Sequence, residues 1–180
     1  GDDIEGFNSR TIVTIINTSE TTRLDGFTIT GAQSEMNHSG GGILTNNSRG
    51  MVSNCMIMNN TAGRGAGMYT INSDIRIHHC TFRENEALVN GAAMDNRNMN
   101  GEIINCSFIS NFARDNAGGI INTSQEEMPS SPDIINCLFL NNIASTANGG
   151  AMLNNNGSSP NIINCTFVKN QGSFGGAMTN

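Results

Sequence analysis

Apolar residues occur in this chain only as short runs, and within each run they alternate with polar ones. VSNCMIMNN (52–60), IHHCTFREN (77–85), IINCSFISN (103–111), IINCLFLNN (134–142) and IINCTFVKN (162–170) are five copies of one such run, and LDGFTITGA (24–32) is a diverged sixth. Period-2 alternation is the signature of strands. No window carries apolar residues at the i, i+3, i+4, i+7 spacing of a helix, and Asn or Gly interrupts every run. Between these copies lies a second family: GGGILTN (40–46), GAGMYTI (65–71), GAAMDN (91–96), GGIINT (118–123), GGAMLNN (149–155) and GGAMTN (175–180). The two alternate strictly. The glycine motifs begin at 40, 65, 91, 118, 149 and 175, a period of 25 to 31 residues. One coil per period, made of short strands and tight turns, predicts an all-β parallel β-helix (a β-solenoid) of about six rungs. Three corners per rung predict three short strands per rung. Residues 1–23, with TIVTIIN at 11–17, read as an N-terminal partial coil, and residues 24–180 as the repeats of a single domain.

Stacked rungs lie roughly 4.8 Å apart, so equivalent residues fall into columns. Cys55, Cys80, Cys106, Cys137 and Cys165 form one inward column, with Phe27 on the first rung. Ile29, Ile57, Phe82, Phe108, Phe139 and Phe167 form a second. Ile43, Met68, Met94, Ile121, Met152 and Met178 form a third. Asn54, His79, Asn105, Asn136 and Asn164 precede the cysteines at a bend, where left-handed backbone is expected and amides can bond between rungs. Asn60, Asn85, Asn111, Asn142 and Asn170 close each FxxN unit. Residues flanking the inward Phe column project outward. Met56, Met58, Ile109, Leu138, Leu140 and Val168 thus form a candidate partner-binding face. Cover by a loop or by the N-terminal segment, or a phase one residue off, are the alternatives.

With these motifs in place, the chain resembles the repeat region of the chlamydial polymorphic outer-membrane proteins, with its alternating GGA(I/L/V) and FxxN tetrads. It is equally similar to the right-handed β-helix repeats of very large bacterial surface proteins, in which a rung like TRLDGFTITG (22–31) opens the run. The likeness covers about residues 11–180. One departure is IMNN at 57–60, where Ile stands for Phe. The resemblance implies a secreted or cell-surface, adhesin-like or autotransporter-passenger region. It implies no reaction, because lyases, glycosidases and phage tailspikes share the architecture.

Composition narrows the function further. A net charge of −6 with no basic stripe argues against nucleic acid as partner. No run of 18 apolar residues is present, so no transmembrane segment is expected. The start, Gly1-Asp2-Asp3, lacks the basic and apolar regions of a signal peptide, as in a mature secreted protein, an excised fragment or a cytosolic one. Five cysteines without a CxxC pair suggest neither a disulfide framework nor a metal site, and no cofactor is expected. His78 and His79 beside Glu84 and Glu86 read as a substituted bend rather than a catalytic pair. Asp95 follows the Met94 column, with Tyr69, Asn122 and Leu153 as its counterparts. Arg83, Glu84, Arg114 and Asp115 are placed near one corner of neighbouring rungs, as solvated ion pairs. The longest insertion, Ser124–Ser131, reads as a tolerated loop. The expectation is therefore a non-enzymatic surface β-helix, with a protein or glycan partner or with itself end to end, as a piece of a longer solenoid or between chains. The alternative is a carbohydrate-active β-helix.

The cysteine column predicts five reduced thiols, because side chains projecting in parallel from adjacent rungs are poorly placed for a disulfide. Alkylation under denaturing, non-reducing conditions followed by intact-mass analysis should add five labels; fewer would reject this.

Overall fold

The computed structural model describes residues 10–125 and 129–180, and its 23 strands wind into a parallel solenoid of about six turns with no helix among the described residues. One rung shows how the sequence makes a coil. Arg49–Ser53 runs into Met56–Met58, then Thr61–Arg64, then Met68–Ile71. At each corner one residue adopts left-handed backbone: Asn54 (φ 53°), Asn59 (φ 53°), Gly65 (φ 56°) and Asn72 (φ 49°). These are the residue types that enter this region at least cost. Four corners make four strands, so the expected three per rung are corrected to four. Sheet I begins with Arg23–Asp25 and Arg49–Ser53, sheet II with Thr28–Thr30 and Met56–Met58, sheet III with Thr61–Arg64 and sheet IV with Val13–Ile16 and Ile43–Asn46. They hold six, six, four and seven strands. Sheet III escaped the sequence reading because its strands are brief and rich in Ala, as in Phe112–Ala113 and Ile143–Ala144.

Every described strand pair is parallel, and all keep one register except Thr61–Arg64 with Glu86–Asn90, which shifts between Ala87 and Asn90, so like stacks on like. Ile57, Phe82, Phe108, Phe139 and Phe167 are paired rung to rung in sheet II. Their rings stack nearly parallel, with centroids 5.2, 4.8 and 4.8 Å apart from Phe82 to Phe167. The five cysteines are free thiols, four buried and Cys165 half-buried. Each Sγ lies near main-chain carbonyls, Cys106 for example 3.3 Å from the Ile104 oxygen. Burial pushes the Cys55 and Cys165 thiols above their ordinary range. Phe27 is a correction. It precedes Thr28 in register with Cys55, but its side chain is 56% exposed. The corner seats a small thiol inside, and a benzyl group there stays outside.

The glycine column needs a second correction. Met94 pairs with Ile120, and Ile120 with Met152, so the inward column is Ile43, Met68, Met94, Ile120, Met152 and Met178. Ile121 pairs with Asp95 and Leu153 on the opposite face. The motif on this rung starts at Ala117 rather than Gly118, and Ala117 takes the left-handed corner at φ 55°. A β-carbon at Gly65 would sit 2.5 Å from the Met68 carbonyl oxygen, which explains why glycine holds most of these corners.

Two columns of buried amides bind the rungs together. In the first, Asn111 donates through Nδ2 to the Phe82 carbonyl of the preceding rung (3.0 Å) and to Asn142 Oδ1 of the next (2.9 Å). Its Oδ1 accepts from the Asn85 backbone N–H (3.1 Å) and Nδ2 (3.0 Å). The same pattern runs from Asn60 to Asn170. The second column lies inside sheet IV, where Thr70, Asn96, Asn122, Asn154 and Asn180 bond in series. The repeat spacing hides it, because Asn122 stands four residues after Gly118 whereas Asn96 and Asn154 stand five after Gly91 and Gly149.

Asn111→Ala removes the acceptor of the buried Asn85 backbone N–H and of one of the two Asn85 Nδ2 hydrogens. The expected cost is roughly 2–4 kcal/mol, read as a lowered denaturant midpoint with the slope unchanged. A loss below about 1 kcal/mol would show that the ladder does not hold the rungs.

Candidate functional site

The expected partner face lies on the outside of sheet II. Met56 is 43% and Val168 38% exposed, and Met58, Ile109, Leu138 and Leu140 are half-buried. The inward Ile57, Phe108 and Phe139 between them are fully buried and Phe167 partly so, and the phase of this strand is the one expected. Register divides the set. Ile109, Leu140 and Val168 stand in one column on consecutive rungs, with Leu138 beside Leu140. Met56 and Met58 stand apart, separated by the rung that carries Thr81 and Arg83. The face is thus a three-rung apolar strip with a detached methionine pair.

The other polar candidates disperse. His78 Nε2 lies 3.2 Å from Glu102 Oε2, and His79 Nε2 lies 3.1 Å from Asn105 Nδ2. Glu84 takes a left-handed corner at φ 53° and pairs with Arg83 at 2.8 Å. Glu86 starts a strand of sheet III. Arg114 and Asp115 follow Phe112–Ala113 at the far end of sheet III, so they do not share a corner with Arg83 and Glu84 as expected. Asp115 instead accepts from the Thr146 hydroxyl (3.2 Å). The Ser124–Ser131 insertion includes residues 126–128, which lie outside the described residues. Its flanks are tied down, with Gln125 N donating to Asn98 Oδ1 (2.7 Å) and Ser130 N to Ser124 Oγ (3.0 Å). The bend column Asn54, Asn105, Asn136 and Asn164 is left-handed with His79, and Asn164 Nδ2 donates to Asn136 Oδ1 (2.6 Å). Among the described residues no group of three His, Cys, Asp or Glu is placed to hold a metal ion.

Asp95 is unlike its column. Its counterparts in register are Leu44, Tyr69, Ile121 and Leu153; Ile121 replaces the expected Asn122. The column lies on the outer side of sheet IV, yet Tyr69, Ile121 and Leu153 are buried and Asp95 entirely so. The left-handed corners fold back against it: Ala117 packs with Ile121 and Leu153. Asp95 Oδ1 meets Arg97 Nε at 3.4 Å, while Oδ2 is buried with no hydrogen-bond partner. The Arg97 guanidinium also lies 5.5 Å from the Tyr69 ring centre. Burial pushes the Asp95 carboxyl above its ordinary value, against the opposing charges of Arg97 and Arg64. Burial, and then the Asp95 charge, push Tyr69 upward as well.

Two outer features were not read from the sequence. The outer column of sheet I carries Arg23, Met51, Arg76, Glu102, Asp133 and Asn161. They stand four residues before each cysteine, so the repeat alignment could have exposed them. Glu102 and Asp133 are in register on adjacent rungs. The second feature is a cleft of about 710 Å³ at the corner between sheets IV and I on the first coils. Asn17, Asn47 and Asn72 line it with Glu20, Arg49, Asp74 and several hydroxyl side chains. It adjoins a smaller hollow that adds Gly50 and Arg76.

A family model described as the right-handed β-helix region matches residues 4–139, about three quarters of the chain. The chain belongs to this right-handed β-helix family. No curated protein and no solved structure matches it significantly. Members of a right-handed β-helix family share a coil, so the functional reading falls to the outward positions of this chain.

Asp95 generates a pH prediction. A carboxyl whose folded value is raised keeps its full contribution below the unfolded value of 3.8 and loses it as pH rises through the folded one. Asp95→Asn should therefore match the parent in acid and become progressively more stable than it toward neutral pH, measured by urea midpoints across that range. A variant that is less stable at neutral pH would mean that Arg97 compensates an ionised Asp95.

Proposed function

We propose that this protein is a non-catalytic β-helix of a secreted or cell-surface protein, adhesin-like, that presents a binding face to a protein partner. The observation that carries this reading is the strip Ile109, Leu140 and Val168 with Leu138, apolar and outward on three stacked rungs. The solenoid behind it is stiff, because amide, aromatic and thiol columns occupy its interior. A rigid scaffold keeps such a strip in one shape and lowers the ordering cost of binding. The alternation of GGA-type and FxxN tetrads, which resembles the chlamydial polymorphic outer-membrane proteins and large bacterial surface repeats, points the same way. Side chains for stacking on sugars are few outside: the phenylalanines of sheet II are inward and Tyr69 is buried, while the exposed Phe27 and Phe174 stand on the first and last coils.

Carbohydrate cleavage is the rival, and its best support is the Glu102–Asp133 pair. Glycoside hydrolysis sets two carboxyls on either side of the scissile bond. Glu102 and Asp133 project side by side from one sheet, and Glu102 is engaged by His78.

Two measurements separate the readings. Leu140→Asn with Ile109→Asn should reduce binding of an apolar-surface dye such as bis-ANS by roughly half, with the thermal midpoint kept. Incubation with acidic and neutral polysaccharides should release no reducing ends and no unsaturated uronates. Turnover that disappears in Glu102→Gln or Asp133→Asn would overturn the proposal in favour of the enzyme.

A further inference from the structure

We infer that the turn joining Met152–Asn155 to Asn161–Ile163 is a self-modification site: of the four Asn-Gly pairs in the chain, the fold leaves Asn156-Gly157 alone open to deamidation. The other pairs are Asn90-Gly91, Asn100-Gly101 and Asn148-Gly149. In an Asn-Gly pair the backbone nitrogen after the asparagine can approach its Cγ, because glycine puts no β-carbon in the way. The Gly157 nitrogen gives its proton to hydroxide and bonds to Asn156 Cγ. The Cγ–Nδ2 bond breaks, and ammonia leaves with a proton from water, which regenerates hydroxide. Water then opens the cyclic imide at either carbonyl, giving aspartate or isoaspartate at this position. Nothing is oxidised or reduced, and solvent is the only co-reactant.

Hydrogen bonds close the other three pairs. The Gly91 N–H donates to the Asn116 carbonyl (2.9 Å) and the Gly149 N–H to the Phe174 carbonyl (3.0 Å). Asn90 Oδ1 accepts from the Asn116 backbone N–H (3.2 Å) and Nδ2 (3.1 Å). The Asn100 amide is tied at both ends, donating to the Pro129 carbonyl (3.1 Å) and accepting from the Ser131 N–H (3.0 Å). Gly101 is buried, and a β-carbon there would meet the Ile75 carbonyl oxygen at 2.1 Å, so its backbone has no room to swing. Each hydrogen bond that must break before attack slows it by about tenfold. Asn156 and Gly157 are exposed, and a β-carbon at Gly157 would meet nothing within 4 Å. Among the described residues neither the Asn156 amide nor the Gly157 N–H makes a hydrogen bond. The reason lies one coil back. Corner asparagines of earlier coils bond between rungs, Asn47 Nδ2 to Asn17 Oδ1 (2.9 Å) and Asn98 Nδ2 to Asn72 Oδ1 (2.8 Å). Thr123 is in register with Asn155, so the counterpart of Asn156 is Ser124, whose Oγ instead lies 3.1 Å from Ser158 Oγ and accepts from the Ser130 N–H (3.0 Å). Isoaspartate would add a backbone carbon and a carboxylate to the turn that carries Ser158, loosening this tie between the insertion and the following coil.

The test incubates the whole chain in warm, mildly alkaline buffer and follows each Asn-Gly pair by peptide mapping, with an isoaspartyl methyltransferase to count isoaspartate. Asn156 should convert at least about tenfold faster than Asn90, Asn100 or Asn148, at a rate that rises with pH. In urea above the unfolding midpoint the four pairs should convert at similar rates, because the bonds that protect three of them are gone. Asn156→Gly, which suits the left-handed corner at φ 54°, should keep the thermal midpoint and remove the fast phase. No conversion at Asn156, another pair converting as fast in the folded chain, or a fast phase retained in Asn156→Gly would each overturn the inference. A preference for Asn156 that survives in urea would assign the selectivity to local sequence and overturn it equally.

Discussion

Parallel backbone hydrogen bonding between coils governs this molecule. It fixes each residue directly above its equivalent, roughly 4.8 Å away. At that spacing a side chain has one dominant neighbour, a copy of itself. Residues that stack well on themselves are therefore favoured: flat rings, amides that both donate and accept, and small thiols. The Phe82–Phe167 stack and the Asn60–Asn170 ladder follow from this one distance. The amide ladder is the stricter device. A buried Asn is tolerable only when its groups are bonded, and in a column the partners come from the rungs before and after it.

The same constraint exposes residues that do not copy their neighbours. Asp95 stands among Leu44, Tyr69, Ile121 and Leu153 and leaves an oxygen buried without a partner. Arg83 interrupts the outer apolar column of sheet II. Asn47 and Asn72 fail to bond where their corner opens into a cleft. Such departures cost stability or leave bonding capacity unused, and they are where function on a repetitive scaffold can reside. The interior, by contrast, is committed to holding the coil together. Its cysteines are small apolar fillers whose buried thiols stay protonated at the ends of the column, Cys55 and Cys165 included.

The chain by itself determined the fold class, the number of turns, the cysteine and phenylalanine columns, the bend asparagines and the outward phase of Ile109, Leu140 and Val168. All of these repeat once per coil, so one-dimensional spacing contains them. It failed where one rung breaks the pattern locally. Ala117 holds a glycine corner, and Ile120 and Ile121 are both apolar, so periodicity alone could not say which faces in. Phe27 has the right address but too large a side chain for it. Only the tertiary structure decided the fourth sheet, the second amide ladder, the burial of Asp95 and the cleft beside Asn47 and Asn72. Each depends on how far the chain turns at a corner and what then folds back against it. That is set by contacts between rungs, and the order of residues along one rung does not record them.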